Sequence, residues 1–364
     1  MRARTYDAII AGASFAGLAV ARELHGRVLL LDRYPVGEHQ TSACGTPLWI
    51  AEQLGVKESV LQVHRRAVVH TPTRTVIYDA LELPYCTFDY RRFCHGLLVQ
   101  SDAEFRRTTV RSLRDGVVET DAGRFEAPVI VDASGWHRAL VGGPALATRR
   151  VRLSFGLETE AGYTGDDLYF WVDPTILEEG AAWLFPIGGR SRVGVGSYAG
   201  ASKLRGPLER FLGGLDLVPG SFHGTYFPAG LAAPTVGRVF AVGDAGGHCL
   251  PLTGEGIRPA VYFGRMLGGI AQGVIDGRLS LESALATYRR RVLAHRSAYR
   301  LLRAIQWVVQ KAPGAWLGSL AELSLRPWLF RRWWPAYLRF GRAGMLDERM
   351  GAAVFTIRSQ PTGQ

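Results

Sequence analysis

The stretch GASFAG at residues 12–17 decides the fold of this 364-residue chain. It follows the apolar run Tyr6–Ala11, which is typical of a buried strand, and it opens Phe15–Leu24, where apolar residues have helical spacing. A second apolar run, Arg27–Leu31, ends at Asp32. We therefore predict a strand–turn–helix–strand unit. Its small turn residues would let the backbone approach a pyrophosphate, and Asp32 would accept hydrogen bonds from a ribose.

A second glycine-rich stretch, GDAGGHCLPLTGEGI at residues 243–257, follows the apolar run Val239–Val242. A strand there would deliver Asp244, whose carboxylate can hold the hydroxyl groups of a polyol. The later glycines open a predicted helix from about Ile257, whose free amides would face negative charge. A simple NAD dehydrogenase does not need this second signal, but a flavin dinucleotide stretched across the molecule does.

Composition is that of a folded protein of roughly two to three domains. Hydrophobic residues make up 47% of the chain and charged residues 21%, which excludes a disordered chain, a collagen and a coiled coil. The four cysteines form no CxxC pair, and we predict no metal site. The absence of a disulfide pattern among the cysteines predicts a reducing, cytoplasmic location. We also expect no leader peptide and no membrane span.

Between the two motifs, the pattern in residues 150–199 changes to alternation, which predicts an antiparallel sheet with one covered face. The predicted fold class is α/β: a Rossmann-like FAD-binding domain, an inserted antiparallel sheet that binds substrate, and a helical C-terminal segment. The FAD-binding domain is predicted at residues 1–75, 90–145 and 236–280, the substrate domain at 76–89 and 146–235, and the C-terminal segment at 281–364.

The two motifs resemble those of flavoproteins with the para-hydroxybenzoate hydroxylase fold. In that superfamily the late Asp, here Asp244, binds the FAD ribityl chain, and the segment matching Pro251–Gly256 lies along the isoalloxazine ring. Three further stretches resemble the geranylgeranyl reductases, namely SACG at 42–45, GAAWLFP at 180–186 and GVG at 194–196.

This resemblance implies a set of site residues. Those assigned to FAD are Gly12, Ala13, Ser14, Ala16, Gly17, Asp32, Arg33, Ala43, Cys44, Arg91, Val110, Gly243, Asp244, Pro251, Gly254, Gly256 and Ile257. Those expected to line an apolar substrate pocket are Phe170, Trp171, Trp183 and Phe185. Cys44 is the candidate catalytic residue, as a proton or hydrogen donor beside the flavin. The alternative is that Cys44 is a small buried residue that shapes the pocket. Packing roles are expected for Cys86, Cys94, His248 and Cys249.

Three positions depart from the family pattern. Ala181 replaces the tyrosine of the family's Tyr-x-Trp-x-Phe-Pro motif. Tyr90 stands where an arginine usually precedes a helix, so Arg91 or Arg92 is expected to take over its contact to FAD. Ser134 replaces an aspartate tied to NADPH handling in the aromatic hydroxylases, which counts against an ordinary NADPH-fed hydroxylase.

The expected function is hydride transfer from reduced FAD to a carbon–carbon double bond of an isoprenoid lipid. The electron donor stays open between NAD(P)H and a ferredoxin-like protein. Two alternatives remain: a monooxygenase or halogenase acting on an aromatic or polyketide substrate, and a non-redox carotenoid cyclase. A nucleic-acid partner is not expected, because no reading motif is present.

The net charge of +11 resides almost wholly in residues 281–364, which hold fourteen basic and four acidic side chains. Within them, the segment Leu325–Phe340 interleaves arginines with Trp, Tyr, Phe and Leu. Arginine attracts anionic headgroups and aromatic rings prefer the bilayer boundary, so this segment is predicted to dock peripherally on the inner membrane face. The alternative is that its aromatic residues pack the tail onto the FAD domain.

Overall fold

A computed structural model describes residues 4–79, 83–142 and 153–324, and beyond these residues 326, 328, 329, 332, 333 and 337. The strands in chain order are β1 (Arg4–Thr5), β2 (Ala8–Ala11), β3 (Val28–Asp32), β4 (Gly45–Pro47), β5 (Val60–His64), β6 (Arg66–His70), β7 (Thr75–Asp79), β8 (Tyr85–Phe88), β9 (Glu104–Arg107), β10 (Val110–Arg114), β11 (Val117–Thr120), β12 (Gly123–Glu126), β13 (Val129–Asp132), β14 (Leu153–Ala161), β15 (Leu168–Trp171), β16 (Gly180–Pro186), β17 (Ser191–Ser197), β18 (His223–Pro228), β19 (Thr235–Val236) and β20 (Val239–Ala241). The helices are α1 (Phe15–Ala21), α2 (Leu48–Gln53), α3 (Tyr90–Leu98), α4 (Arg205–Gly213), α5 (Ile257–Ile275), α6 (Leu281–Leu293), α7 (Arg296–Lys311) and α8 (Gly314–Ser324).

A six-stranded sheet in the order β19-β20-β13-β2-β3-β9 forms the centre of the first domain. Its strands from β20 to β9 are parallel, and β2 lies between β13 and β3. Both faces of β2 are covered: Ile10 packs with the cluster that contains α1 and α5, whereas Ile9 packs with the small sheet β1-β12-β11-β10. Burial on both faces explains why the run reads as continuously apolar rather than alternating.

A seven-stranded sheet in the order β18-β14-β17-β16-β15-β6-β7 forms the second domain. Its central pairs β14–β17, β17–β16 and β16–β15 are antiparallel, as the alternation predicts. One face packs on α4 through Leu208, Phe211 and Leu212. The opposite face lies toward the Cys44 segment, where Gly45 approaches the Phe185 ring. The predicted α/β fold with an inserted antiparallel sheet is therefore confirmed.

Two details differ from the sequence prediction. The first helix ends at Ala21 rather than Leu24, and Arg22 caps it. The strand β6, predicted within the FAD-binding domain, pairs in parallel with β15 and so belongs to the seven-stranded sheet. The chain therefore crosses between the domains before residue 66. A short strand with one exposed face carries no local signal that identifies the sheet it joins.

The C-terminal helices pack against the FAD-binding domain. Tyr288 of α6 and Tyr299 of α7 are fully or nearly fully buried in the same cluster as α1 and α5. Within the described residues, no helix is both long and apolar enough to cross a bilayer. The predicted docking segment is described in part, and Phe330, Arg331, Trp334, Leu338, Arg339 and Phe340 lie outside the described residues.

Candidate active site

The early motif forms the tight turn that its glycines predict. Gly12 has a φ of +112°, and a Cβ there would lie 2.2 Å from the carbonyl oxygen of Ala133. Only glycine fits this approach between β2 and the end of β13. The Asp32 carboxylate accepts hydrogen bonds from the backbone N–H of Ala13 (2.8 Å) and Tyr34 (2.9 Å). The turn and the carboxylate therefore form one rigid unit at the carboxyl edge of the sheet, the usual place for a dinucleotide.

Tyr90 occupies the position at which the family pattern has arginine. Its hydroxyl donates to Ser14 Oγ at 3.1 Å, so it joins the start of α3 to the turn at residues 12–17. Arg91 is two-thirds exposed and pairs with Glu38 at 3.2 Å. The sequence identified the substitution at residue 90 but not its contact. The assignment of an FAD contact to Arg91 stays a prediction.

The late motif presents an unsatisfied carboxylate. Asp244 follows β20 in a turn in which Gly243 has a φ of +64°. Burial raises the pKa of Asp244 to about 7, and within the described part of the chain no hydrogen bond reaches its side chain. Asp244 is half-buried. A desolvated carboxylate without donors is costly, and the hydroxyl groups of a ribityl chain would supply them. The residues around Asp244 therefore fit FAD.

Four side chains from outside the motif hold it in place. Tyr288 donates to the Ala241 carbonyl at 3.0 Å, and Tyr299 donates to the His248 carbonyl at 2.5 Å. Gln306 accepts from the Leu252 N–H at 3.0 Å, and Tyr198 donates to the Leu252 carbonyl at 2.7 Å. Three of these residues belong to α6 and α7. The C-terminal helices are thus part of the support of the candidate flavin site, which the sequence analysis did not anticipate.

His248 and Cys249 have the surroundings of packing residues. Burial, with a smaller contribution from His295, lowers the pKa of His248 to about 3, so the ring is neutral. Its Nδ1 accepts a hydrogen bond from the backbone N–H of Gly243 at 3.1 Å. Burial raises the pKa of the Cys249 thiol well above its usual value. Both observations support the packing role expected for these residues.

Cys44 is fully buried in a strained turn. It has a φ of +54°, a backbone conformation that residues other than glycine rarely adopt. Its thiol donates to the Ser42 carbonyl at 3.2 Å. Burial raises the pKa of the thiol to about 12, despite the opposing charge of Arg192. Cys44 is therefore a protonated and weakly acidic thiol at neutral pH.

Three of the four predicted pocket residues share one face of the substrate sheet. Phe170 and Trp183 are directly paired across β15 and β16, and the Phe170 and Phe185 rings meet edge-on at 5.2 Å. Trp171 lies on the opposite face, where its ring packs at 4.9 Å against Phe211 of α4. The prediction for Trp171 is corrected on this point, because consecutive residues of a strand point to opposite faces.

Arg192 links the same face of the sheet to the Cys44 segment. Its guanidinium is buried, and Nη1 donates to the carbonyls of Phe88 (3.0 Å) and Ala43 (3.3 Å). This connection holds the aromatic wall of Phe170, Trp183 and Phe185 against the segment that contains Cys44. No sequence motif identifies Arg192.

The other predicted cofactor residues lie along the two motifs and their neighbours. Val110 begins β10 and is half-buried, and the Arg33 guanidinium lies 4.9 Å from the centre of the Tyr34 ring. The remaining ones are in the turns and at the helix starts, namely Ala16, Gly17, Ala43, Pro251, Gly254, Gly256 and Ile257. Among the described residues, no group of His, Cys, Asp and Glu could hold a metal ion.

The architecture is that of FAD-dependent oxidoreductases. It is similar to the crystal structure of a geranylgeranyl bacteriochlorophyll reductase-like protein from Thermoplasma acidophilum, with a TM-score of 0.77 and 16% identity over 89% of this chain and 92% of the other. It is also similar to a myxobacterial chondrochloren halogenase, with a TM-score of 0.68 and 16% identity over 96% and 91% of the two chains. At these identities the likeness shows a shared fold.

Sequence comparison points to one branch of this fold. The chain is 28% identical over 321 residues to digeranylgeranylglycerophospholipid reductase 2 of Methanothermobacter thermautotrophicus, covering 75% of this chain and 80% of the relative. It is 32% identical to the Methanococcus vannielii digeranylgeranylglycerophospholipid reductase over 125 residues, about a third of either chain. No protein-family profile matches. The resemblance to the geranylgeranyl reductases, predicted from the motifs, is confirmed by these similarities.

Proposed function

We propose that this protein is an FAD-dependent oxidoreductase that reduces carbon–carbon double bonds of an isoprenoid or polyprenyl lipid. The observation that carries the proposal is the wall of Phe170, Trp183 and Phe185, which faces the Cys44 segment on the same side as the predicted flavin site. Aromatic and apolar surfaces suit a hydrocarbon chain, and the similar archaeal proteins are named as reductases of such a lipid.

In this proposal the chain's own residues bind and orient the two reactants. The turn at Gly12 and the carboxylates of Asp32 and Asp244 hold the dinucleotide, and reduced FAD supplies a hydride. The aromatic wall holds the lipid chain and excludes water from the reacting carbons. Arg192 keeps the wall and the Cys44 segment at a fixed separation.

An anaerobic reduction assay tests this function. The protein loaded with FAD is reduced with dithionite and incubated with a polyprenyl alcohol, and the lipid is then analysed by mass spectrometry. A gain of two hydrogens supports the proposal. A gain of oxygen in air would instead identify a monooxygenase, and a new ring at unchanged mass would identify a cyclase. Loss of the yellow colour with NAD(P)H or with a reduced ferredoxin identifies the donor.

Replacement of Cys44 by Ala or by Ser separates thiol chemistry from pocket shape. We expect both variants to keep FAD and to lose turnover only partly, by less than about tenfold, because a thiol with a pKa of about 12 is a poor acid. The measurement is FAD content by absorbance, followed by the rate of lipid reduction. A loss of turnover of a hundredfold or more in both variants, with FAD retained, would assign the thiol a chemical role.

We further propose that the C-terminal helices dock on a membrane surface. Large apolar residues are exposed along α7 and α8 and just beyond: Leu301, Ile305, Trp307, Val308, Trp316, Leu323 and Trp328. Exposed arginines accompany them, among them Arg296, Arg300 and Arg303. Within the predicted docking segment, Trp328 is exposed, whereas Tyr337 packs on Arg258 of α5. The exposed apolar surface therefore begins at α7, earlier in the chain than the predicted docking segment 325–340. Within that segment, Tyr337 packs onto the FAD-binding domain.

Vesicle binding measures this docking. We expect the triple variant Trp307→Ser, Trp316→Ser and Trp328→Ser to lose most of its co-sedimentation with phosphatidylglycerol vesicles while retaining FAD, because exposed tryptophans contribute to binding at the bilayer boundary. The control variant carries Val99→Ser and Val218→Ser, which alter apolar residues elsewhere that are even more exposed than the three tryptophans. Equal sedimentation of the tryptophan variant and the wild type would contradict docking through these helices. A fall in binding at high salt would assign part of it to the arginines.

A further inference from the structure

The loop at residues 250–256 of the late motif lies beside the Asp244 carboxylate. A Cβ on Gly256 would lie 4.0 Å from Asp244 Oδ1. At the tip of the loop, Thr253 and Gly254 are exposed to solvent. The tip is therefore open to contact with a ligand that Asp244 holds.

The same loop tip borders the aromatic wall. A Cβ on Gly254 would lie 3.7 Å from the ring of Phe227 in β18. Phe227 adjoins the wall across Gly156, because a Cβ on Gly156 would lie 3.7 Å from the Phe227 ring and 3.5 Å from the Trp183 ring. The loop tip thus lies between Asp244 and the wall proposed to hold the lipid. A flavin ring bound between these two groups would contact the tip.

Leu252, in this tip, has a strained backbone. Its φ is +70°, in the left-handed region that residues with a side chain rarely adopt. Such a conformation is unfavourable by itself and persists only where the surrounding structure enforces it. Strained residues of this kind are concentrated at active sites and ligand clamps. The contacts that enforce the conformation of Leu252 are therefore candidates for a role in the site.

Two side chains from separate elements hold Leu252. On one side, Gln306 Oε1 of α7 accepts a hydrogen bond from the Leu252 N–H at 3.0 Å. On the other, the hydroxyl of Tyr198, the residue after β17, donates to the Leu252 carbonyl at 2.7 Å. Burial raises the pKa of Tyr198 to about 12, so the hydroxyl keeps its proton at neutral pH. Because the two bonds orient the peptide groups on both sides of Leu252, they fix its φ and ψ.

Gln306 is a polar residue on the inner face of α7. It is 5% exposed, whereas its chain neighbours Ile305 and Trp307 are exposed. A buried amide is costly unless it is hydrogen-bonded, and the bond to Leu252 accounts for a glutamine at this place. Helix α7 thus presents apolar side chains outward and an amide inward to the loop.

We propose that Gln306 and Tyr198 are positioning residues that hold Leu252 in its left-handed conformation and so present Thr253 and Gly254 to the flavin ring. This inference rests on the proposed function, because it requires FAD at Asp244. The two hydrogen bonds set the loop before FAD binds. If fewer molecules had the loop in this conformation, the apparent affinity for FAD would fall by the same fraction.

Fluorescence titration of the flavin-free protein with FAD tests the role of Gln306. We expect Gln306→Leu to weaken FAD binding about tenfold, because the Leu252 N–H loses its acceptor and the left-handed conformation becomes less populated. Gln306→Glu keeps an acceptor oxygen and should recover most of the affinity. The control Gln310→Leu alters another glutamine of α7, about one turn further on, and should bind FAD like the wild type. Equal affinity in Gln306→Leu and the wild type would overturn the proposal.

A glycine at residue 252 separates positioning from a general loss of stability. Glycine adopts a φ of this sign without the steric penalty of a Cβ, so Leu252→Gly should depend less on Gln306. We expect Gln306→Leu to weaken FAD binding by less than about threefold in the Leu252→Gly background, against about tenfold in the wild-type background. An equal effect in both backgrounds would show that Gln306 supports the fold rather than the conformation of Leu252, and would overturn the proposal.

The bound flavin gives a readout that needs no turnover. In visible circular dichroism at saturating FAD, we expect Gln306→Leu and Tyr198→Phe to change the flavin bands, because the loop tip shifts against the ring. Gln310→Leu should leave the bands unchanged. Unchanged bands in both loop variants would contradict a contact between the loop tip and the ring. Failure of the wild type to reduce the lipid would contradict the proposed function, whereas equal FAD affinity in Gln306→Leu contradicts this inference alone.

Discussion

Replacement of Glu255 by Leu is expected to destabilise the fold by about 3–5 kcal/mol, because it removes the carboxylate that pairs with a buried guanidinium. The Arg258 side chain is fully buried, and its Nε and Nη2 donate to the two oxygens of Glu255 at 2.7 and 2.6 Å. Nη1 donates to the Tyr337 carbonyl at 2.9 Å, and the Tyr337 hydroxyl donates back to Glu255. Burial alone would lower the pKa of Arg258, but the Glu255 charge raises it above its ordinary value.

The measurement is the free energy of unfolding in urea, followed by circular dichroism. The matched control is the double variant Glu255→Leu with Arg258→Leu, which removes both charges together. We expect the double variant to have a larger free energy of unfolding than Glu255→Leu alone. The reason is that a buried charge left unneutralised destabilises the fold more than the removal of both charges together. A loss below about 1 kcal/mol for Glu255→Leu would show that Arg258 finds another partner or reaches water.

This ion pair also explains the position of the C-terminal segment. Glu255 belongs to the late glycine motif, so Tyr337 ties the segment directly to the candidate flavin site. Of the two interpretations of that segment from sequence, packing onto the FAD domain is observed for Tyr337, and membrane docking stays a proposal for the exposed residues. Tyr337 packs inward, whereas Trp328 is 67% exposed. Interleaved arginines and aromatic residues do not distinguish these roles, because the sequence does not show which of these side chains face the FAD-binding domain and which face solvent.

The parts of the fold that the sequence predicted are those with local signals. The turn at Gly12, the strand that ends at Asp32 and the helix that starts at Ile257 follow from short-range patterns of glycine and apolar residues. The alternation in residues 150–199 predicted the antiparallel sheet for the same reason. Trp171 directly follows Phe170 in β15, so the two side chains lie on opposite faces of the sheet. Its packing on Phe211 follows from the two-residue period.

The contacts of Glu158 with Trp183 and His223 on the seven-stranded sheet were not predictable in the same way. Glu158, Trp183, Arg192 and His223 come from four different strands, and only the register of those strands brings them together. In the sequence, Glu158 appears as one acidic residue in an alternating strand, which is typical of a solvent-exposed face. The signal that could have identified it is the GVG stretch opposite, because a strand with glycines on one face leaves room for a large ring from its neighbour.

Asp244→Ala is expected to weaken FAD binding about ten- to hundredfold, equivalent to roughly 1.5–3 kcal/mol, because the ribityl hydroxyls would lose a carboxylate acceptor. Fluorescence titration of the flavin-free protein with FAD measures the affinity. Asp216→Asn serves as the control, since it alters an acidic residue in the loop after α4, away from both motifs. Wild-type affinity in a folded Asp244→Ala variant would remove Asp244 from the site.

The pH dependence of that affinity gives a second signature of Asp244. Burial raises the pKa of this carboxyl to about 7 in the flavin-free protein, whereas hydroxyl donors favour its ionised form. FAD binding should therefore release a proton below pH 7, and the affinity should rise as the pH increases from 5 to 7 and then level off.

The stability of the flavin-free protein should show the opposite trend, because the folded state favours the protonated form of Asp244. The contribution of the protonated carboxyl to stability is complete below the unfolded pKa of about 3.9, and it is lost as the pH rises through about 7. Asp244→Asn should abolish both trends, because an amide does not titrate. An affinity for FAD that stays constant from pH 5 to 8 in the wild type would contradict a titrating carboxyl at the ribityl chain.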